Sequence, residues 1–194
     1  MHKSNSTYFT DLDISRGNIS LVFFREPFNP FPGPNHFIMV LGGAQCVWRK
    51  EILPYQAYEL WTRILTWDEK WIYLVSHFVK PGQFKPTEYV MQPSSKPSKK
   101  SAPASDSKRD PQKAVFASSV ARYVFKNGRK TVPPEKVLRD CGLLPDDEAA
   151  LAEVERLRLK WLSIAQLQSG WDMVHSLFEP GETALGHYTD LWWR

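Results

Sequence analysis

Two cysteines, Cys46 and Cys141, are all that this 194-residue chain carries. That is too few for a disulfide framework or a four-ligand zinc site, so a reducing, cytoplasmic setting is the expectation. Long apolar runs are missing as well. The stretch His36–Gln45 falls far short of the roughly 18 residues a transmembrane helix needs, and Gly42-Gly43 interrupts it. No transmembrane segment is expected, and MHKSNSTYFTDLD has none of the apolar core of a secretory leader. Generic catalytic signatures are absent: no Gly-x-Ser-x-Gly elbow, phosphate loop, Gly-x-Gly-x-x-Gly or Cys-x-x-Cys. His2, His36, His77, His175 and His187 are scattered without metal-ligand spacing, so neither a metal nor another cofactor is expected. His77 shares a strand face with Val75 and Val79 and reads as a packed core histidine.

What is present is material for a core. Apolar residues make up 42% of the chain and aromatics 13%, with eight Trp, which suits one domain with an appendage. The net charge of +4 raises the question of nucleic acid, but its distribution answers it. Residues 93–113, PSSKPSKKSAPASDSKRDPQK, hold six basic and two acidic side chains, leaving 19 of each sign elsewhere. The basic character therefore belongs to a Ser/Pro/Lys-rich stretch with too little apolar surface to offset the entropy of ordering it. It is expected to be a disordered insertion, and a nucleic-acid role for it is disfavoured.

The pattern divides into three blocks. Residues 5–26 read as a helix: Asn5 or Ser6 caps it, Tyr8, Leu12, Ile19, Val22 and Phe23 recur at helical spacing, and Asp11 and Asp13 lie early. Residues 37–80 read as three consecutive antiparallel strands. The first, 37–52, turns at Leu53-Pro54, and Asp68-Glu69-Lys70 joins 57–67 to 71–80. A fourth strand, 114–126, is closed by Asn127-Gly128. Residues 145–178 read as a helical tail, with a start at Pro145–Glu148, a stripe of Leu151, Val154, Leu157, Trp161 and Ile164, and a stop at Gly170. The expected class is α+β, an antiparallel sheet around one long helix.

One constellation is specific. His2, Asn5, Tyr8, Asp13 and Arg16 stand in the register of His-x-Asn-Asn-x-x-Tyr, an acidic pair and an Arg fourteen positions after the His. This resembles the signature of hotdog-fold acyl-thioesterases of the 4-hydroxybenzoyl-CoA thioesterase type, with Ser4 and Ile14 in place of the family's first Asn and second acid. The resemblance extends through Trp48–Pro54, Tyr55–Arg63, Trp71–Val79 and Arg122–Pro134, and is strongest toward eukaryotic, chiefly fungal thioesterase-like proteins. It implies a hotdog domain over residues 1–134, interrupted at 93–113, and a helical extension over 135–194.

The resemblance also implies hydrolysis of an acyl-CoA or acyl-carrier thioester by a homodimer whose subunits complete each other's sites. Asn5, His2 and Asp13 are the implied catalytic residues. Free amides at the helix start suit a developing oxyanion. Asn5 would cap the helix or hydrogen-bond the substrate, His2 would orient water or the acyl group, and Asp13 is either a general base or merely the partner of Arg16. Tyr8, Arg129 and Lys130 are the expected substrate contacts, the last two for phosphates. These enzymes usually carry a catalytic Asp a few residues before the His, where this sequence has only Met1. The expectation for the chain as it stands is weak activity or none, with faster turnover in a form extended upstream. The rival reading is a non-catalytic hotdog protein that binds acyl groups or a partner.

Overall fold

A computed structural model of the chain describes residues 2–24, 37–84, 111–166 and 176–178. In chain order these form α1 (Asn5–Phe23), β1 (Ile38–Trp48), β2 (Glu59–Trp67), β3 (Ile72–Val79), β4 (Val115–Asn127), β5 (Lys130–Val132), α2 (Pro134–Asp140) and α3 (Glu148–Ala165). A short 3-10 turn, Pro111–Ala114, leads into β4. The expected α+β class holds: an antiparallel sheet packs around α1.

The helix forms where its buried stripe dictates. Tyr8, Leu12, Ser15, Arg16, Ile19 and Ser20 fall on one face and are buried, the others largely exposed. Two details differ from the expectation. The N-cap is Ser4, whose extended backbone precedes the first helical residue, and the first turn holds no acid, since Asp11 and Asp13 lie further in. Residues 25–26, expected to finish the helix, lie outside the described residues.

The strand order is β1-β4-β3-β2, with β5 added to β4. This corrects the reading of three consecutive strands. β2 and β3 form a hairpin, but β1 pairs with β4, from Ile38 opposite Lys126 to Trp48 opposite Ala117. The reason lies in residues 49–58, too long for a tight turn. They hold Leu53-Pro54 and, at Tyr55, a left-handed φ of 61°. They carry the chain from one sheet edge to the other. All eight residues of β3 are buried, so it takes an interior place. Asp68 makes the β2–β3 turn as expected, accepting from the amides of Lys70 and Trp71 at 2.8 and 2.7 Å. At Asn127-Gly128 the chain turns back into β5, a strand the sequence reading missed, with Gly128 at φ 56°. Pro134 in the first turn then opens α2, also missed.

Between α1 and the sheet the core is split in two. Tyr8 and Leu12 pack with Leu60, Phe78 and Phe116 at one end, and Ile19 with Ile72, Leu74 and Phe125 at the other. A polar row crosses the sheet between them: Thr62 stands opposite Ser76, Ser76 opposite Ser119, and Ser119 opposite Cys46. The helix answers it with Ser15, 2.6 Å from the Thr62 hydroxyl, and Arg16, whose Nη2 donates to Ser119 Oγ at 2.8 Å. On the other sheet face, Trp161, Ile164 and Ala165 of α3 cover Leu65, Tyr73, Val75 and Val120. Arg158 Nη1 donates to the Trp67 carbonyl at 3.0 Å, and Thr66 Oγ1 to the Arg158 carbonyl at 2.7 Å, which pins α3 to β2. Only the C-terminal half of the expected α3 stripe is fully buried, and Gly170 lies outside the described residues.

Among the described residues β1 is an edge strand with an apolar side, where Ile38, Val40, Leu41 and Trp48 are each more than 40% exposed. Within the chain β3 takes an interior place, and α3 covers one face of β2. No helix among the described residues is long and apolar enough to cross a membrane.

Most of 93–113 lies outside the described residues, while residues 111–113 belong to the turn entering β4. The strands on either side nevertheless close a hairpin, with Val79 opposite Val115 and the Lys80 amide donating to the Ala114 carbonyl at 3.0 Å. Replacing residues 93–110 by a short Gly/Ser loop is therefore expected to change stability by about 1 kcal/mol or less. A thermal melt checks it: loss of the cooperative transition would defeat the claim.

Candidate functional site

The site begins where α1 does. Residues 2–4 precede the helix, Ser4 with an extended backbone, and the Lys3 amide donates to the Ile52 carbonyl at 2.9 Å, which ties this segment to the connection after β1. Ser4 makes no side-chain capping bond. Its hydroxyl turns to Ser6 Oγ and Thr7 Oγ1 at 3.0 and 3.4 Å, and its carbonyl takes the amides of Thr7 and Tyr8. Among the described residues the amides of Asn5 and Ser6 meet no acceptor and are the open donors of the helix start, at the positive end of its dipole.

Of these two residues Asn5 borders a cleft of about 250 Å³, lined also by His2, Lys3, Tyr8, Trp48, Arg49, Lys50 and Glu51. Tyr8 is its floor. The ring is 2% exposed and meets Phe78 and Trp48 edge-on, at centroid distances of 4.8 and 6.1 Å. Burial raises the phenol above its ordinary pKa, with a hydrogen bond to the Ile52 backbone opposing. Tyr8 therefore stays neutral through physiological pH.

Lys3 joins the cleft to a cluster beside it that the sequence reading missed. Lys3 Nζ lies 2.6 Å from Asp11 Oδ2 and donates to the Tyr58 hydroxyl at 3.1 Å, and that hydroxyl donates to Asp11 Oδ2 at 2.7 Å. The ammonium also sits over the rings of Tyr8 and Tyr58, 5.4 and 5.0 Å from their centroids. Asp11 carried a signal, one turn after Tyr8 on the same helix face. Tyr58 carried none, since the fold alone brings it near. At the mouth, His2 Nδ1 lies 3.7 Å from Glu51 Oε2, with both side chains open to solvent.

Of the sequence-predicted residues, His2, Asn5 and Tyr8 share this cleft. Asp13 does not line it. Its carboxylate is 65% exposed and faces Arg16 Nη1 at 3.5 Å, the ion-pair arrangement rather than that of a base in the cleft. Arg129 and Lys130 are exposed in the β4–β5 hairpin. That hairpin adjoins the Ile38 end of β1, whereas the cleft adjoins the Trp48 end, a separation of about 30 Å at ordinary strand rise. Within one chain they lie at opposite ends of β1. His77 is buried as expected, its Nδ1 2.8 Å from Ser118 Oγ and its ring against Phe178. Among the described residues no three His, Cys, Asp or Glu side chains gather as a metal-binding group.

Chemically, the cleft offers an open amide for a developing oxyanion, an imidazole beside a carboxylate for proton transfer, and a basic rim of Lys3, Arg49 and Lys50. It offers no thiol nucleophile. Burial pushes the Cys46 thiol up to about 12, with Arg16 opposing. A raised pKa means that Cys46 stays protonated as pH climbs to 9. Titration with a disulfide reagent at pH 8 is expected to leave Cys46 unmodified in the folded protein and to modify it on unfolding. Rapid labelling of native Cys46 would contradict the burial argument.

No protein-family model matches the chain. It does resemble whole proteins. The probable thioesterase atnL of Emericella nidulans is 36% identical over 98% of this chain and 70% of its own length. The thioesterase poxG of Penicillium oxalicum is 36% identical over 92% of this chain and 64% of its own. The chain thus spans about two-thirds of the length of these relatives. Among solved structures, the probable thioesterase YbaW of Escherichia coli superposes on 72% of this chain and 83% of its own, with a TM-score of 0.45 and 11% identity.

Proposed function

The chain belongs to the hotdog thioesterase-like superfamily, and from that premise we propose that it hydrolyses an acyl thioester, borne on coenzyme A or an acyl carrier, in the cleft at the start of α1. The observation that carries this reading is the meeting, in one cleft, of an uncapped helix N-terminus with His2 and Asn5. Water adds to the thioester carbonyl, and the oxygen that becomes negative lies against the Asn5 amide, with the helix dipole behind it. The Asn5 side chain adds a hydrogen bond to that same oxygen, His2 orients the water, and Tyr8 closes the floor. The C–S bond then breaks, releasing a carboxylic acid and a thiol.

A cleft of about 250 Å³ is too small to enclose a coenzyme A thioester. A second copy completes it in this proposal, docked along the exposed apolar edge of β1. Antiparallel pairing of β1 with its equivalent sets the Ile38 end of one strand beside the Trp48 end of the other. The partner's Arg129 and Lys130 are thereby carried toward the cleft, where cations suit phosphates. This restores to the site two residues that one chain keeps remote from it.

Activity is read by free-thiol release from acyl-CoAs of several chain lengths. Asn5→Ala is expected to lower turnover by about 10²–10³-fold, the usual cost of one oxyanion-type contact, while Cys46→Ala and Cys141→Ala leave it nearly intact. Tight acyl-CoA binding with no thiol released would favour the non-catalytic reading instead.

Sedimentation at micromolar concentration is expected to show a homodimer, and Leu41→Lys on the β1 edge to shift it toward monomer. A wild-type chain that sediments as a strict monomer would rule out the shared site.

A further inference from the structure

We infer that Glu51 is the general base of this cleft, taking the proton of the attacking water while His2 holds its carboxylate in place; the inference rests on the thioesterase reading above.

Three carboxylates of the described residues lie within reach of the first turns of α1, and two are committed elsewhere. Asp11 is engaged by Lys3 Nζ and the Tyr58 hydroxyl, and Asp13 faces Arg16 away from the cleft. Glu51 alone among them lines the cleft, together with His2 and Asn5. Its backbone is held on both sides. The amides of Arg49 and Lys50 both donate to the Phe116 carbonyl, at 2.8 and 3.0 Å, and the Ile52 side chain is 2% exposed while its carbonyl takes the Lys3 amide. The residue between these anchors has a fixed main chain and a side chain free to address the cleft. At 65% exposure the carboxylate has water at hand, and the imidazole 3.7 Å away gives it a partner that restricts its orientation.

The proton count closes without another reagent. The water oxygen bonds to the carbonyl carbon as its proton passes to the Glu51 carboxylate, and the carbonyl electron pair moves onto oxygen at the Asn5 amide. That pair returns as the C–S bond breaks, its electrons leaving on sulfur. The proton held by Glu51 then goes to the thiolate, directly or through His2, which gives free thiol and acid and restores the carboxylate.

The test uses the full chain with Glu51→Gln, Glu51→Asp and Glu51→Ala, each checked for fold by circular dichroism and melting. Thiol release is measured from the acyl-CoA that the wild type cleaves best. Glu51→Gln is expected to lower kcat by about 10²–10³-fold with KM within about threefold of wild type. Glu51→Asp should retain more activity than Glu51→Gln, and added formate or acetate should restore turnover to Glu51→Ala in a saturable way. Wild-type kcat in Glu51→Gln would overturn the role of Glu51 and leave the thioesterase reading standing. Equal losses in all three variants without carboxylate rescue would assign the effect to packing and overturn it as well. Absence of thiol release from the wild type would overturn both readings together.

Discussion

A guanidinium buried between a helix and the middle of a sheet constrains everything else in this molecule. Arg16 is 2% exposed, and desolvating such a cation costs several kcal/mol unless polar partners meet it. The sheet meets it in a single place, at Ser119 of the polar row, whose Oγ accepts from Arg16 Nη2 at 2.8 Å. One residue of helical rotation would swing Arg16 about 100° into the Leu and Phe clusters on either side. The helix therefore docks in one register, and that register delivers Asn5 to the Trp48–Ile52 end of β1. The position of the cleft follows from a charge that never touches it.

Much of this was legible in the sequence because it rested on local signals. The stripe of Tyr8, Leu12 and Ile19 defines a helix by itself, Asp68 sets its own turn, and Asp147 accepts the Ala150 amide at 2.8 Å to start α3. The grouping of His2, Asn5 and Tyr8 was equally legible, because all three sit on one short segment. Pairing between distant strands was not. Nothing in residues 37–58 says that β1 seeks β4 rather than β2; that choice depends on β3 needing a neighbour on each edge. Lys3–Asp11–Tyr58 and His2–Glu51 escaped for the same reason, as each joins the helix start to residues that reach it only through the crossing connection.

The connection 49–58 thus has two roles. It moves the chain between sheet edges, and it brings a main-chain carbonyl, at Ile52, and a carboxylate, at Glu51, to the helix start. The basic rim of the cleft comes from the same source: Arg49 reaches Gln112 at 3.4 Å and Lys50 the Lys113 carbonyl, in the turn that precedes β4. The net positive charge in residues 93–113 ends at that turn, so the most basic stretch of the chain feeds into the strand beside the cleft.

The pairing of β1 with β4 also bears on how the chain acquires its structure during synthesis. Trp48 waits for Ala117 and Ile38 for Lys126, with the whole β2–β3 hairpin and the Ser/Pro/Lys-rich stretch emerging in between. An eleven-residue strand with an apolar edge thus leaves the ribosome without its partner and stays so for several seconds at ordinary elongation rates of about 5–20 residues per second. During that interval Ile38, Val40 and Leu41 are a target for chaperones and for other nascent chains. A long, polar, charge-rich stretch just ahead of β4 prolongs the wait, yet contributes no sticky segment of its own to the exposed intermediate.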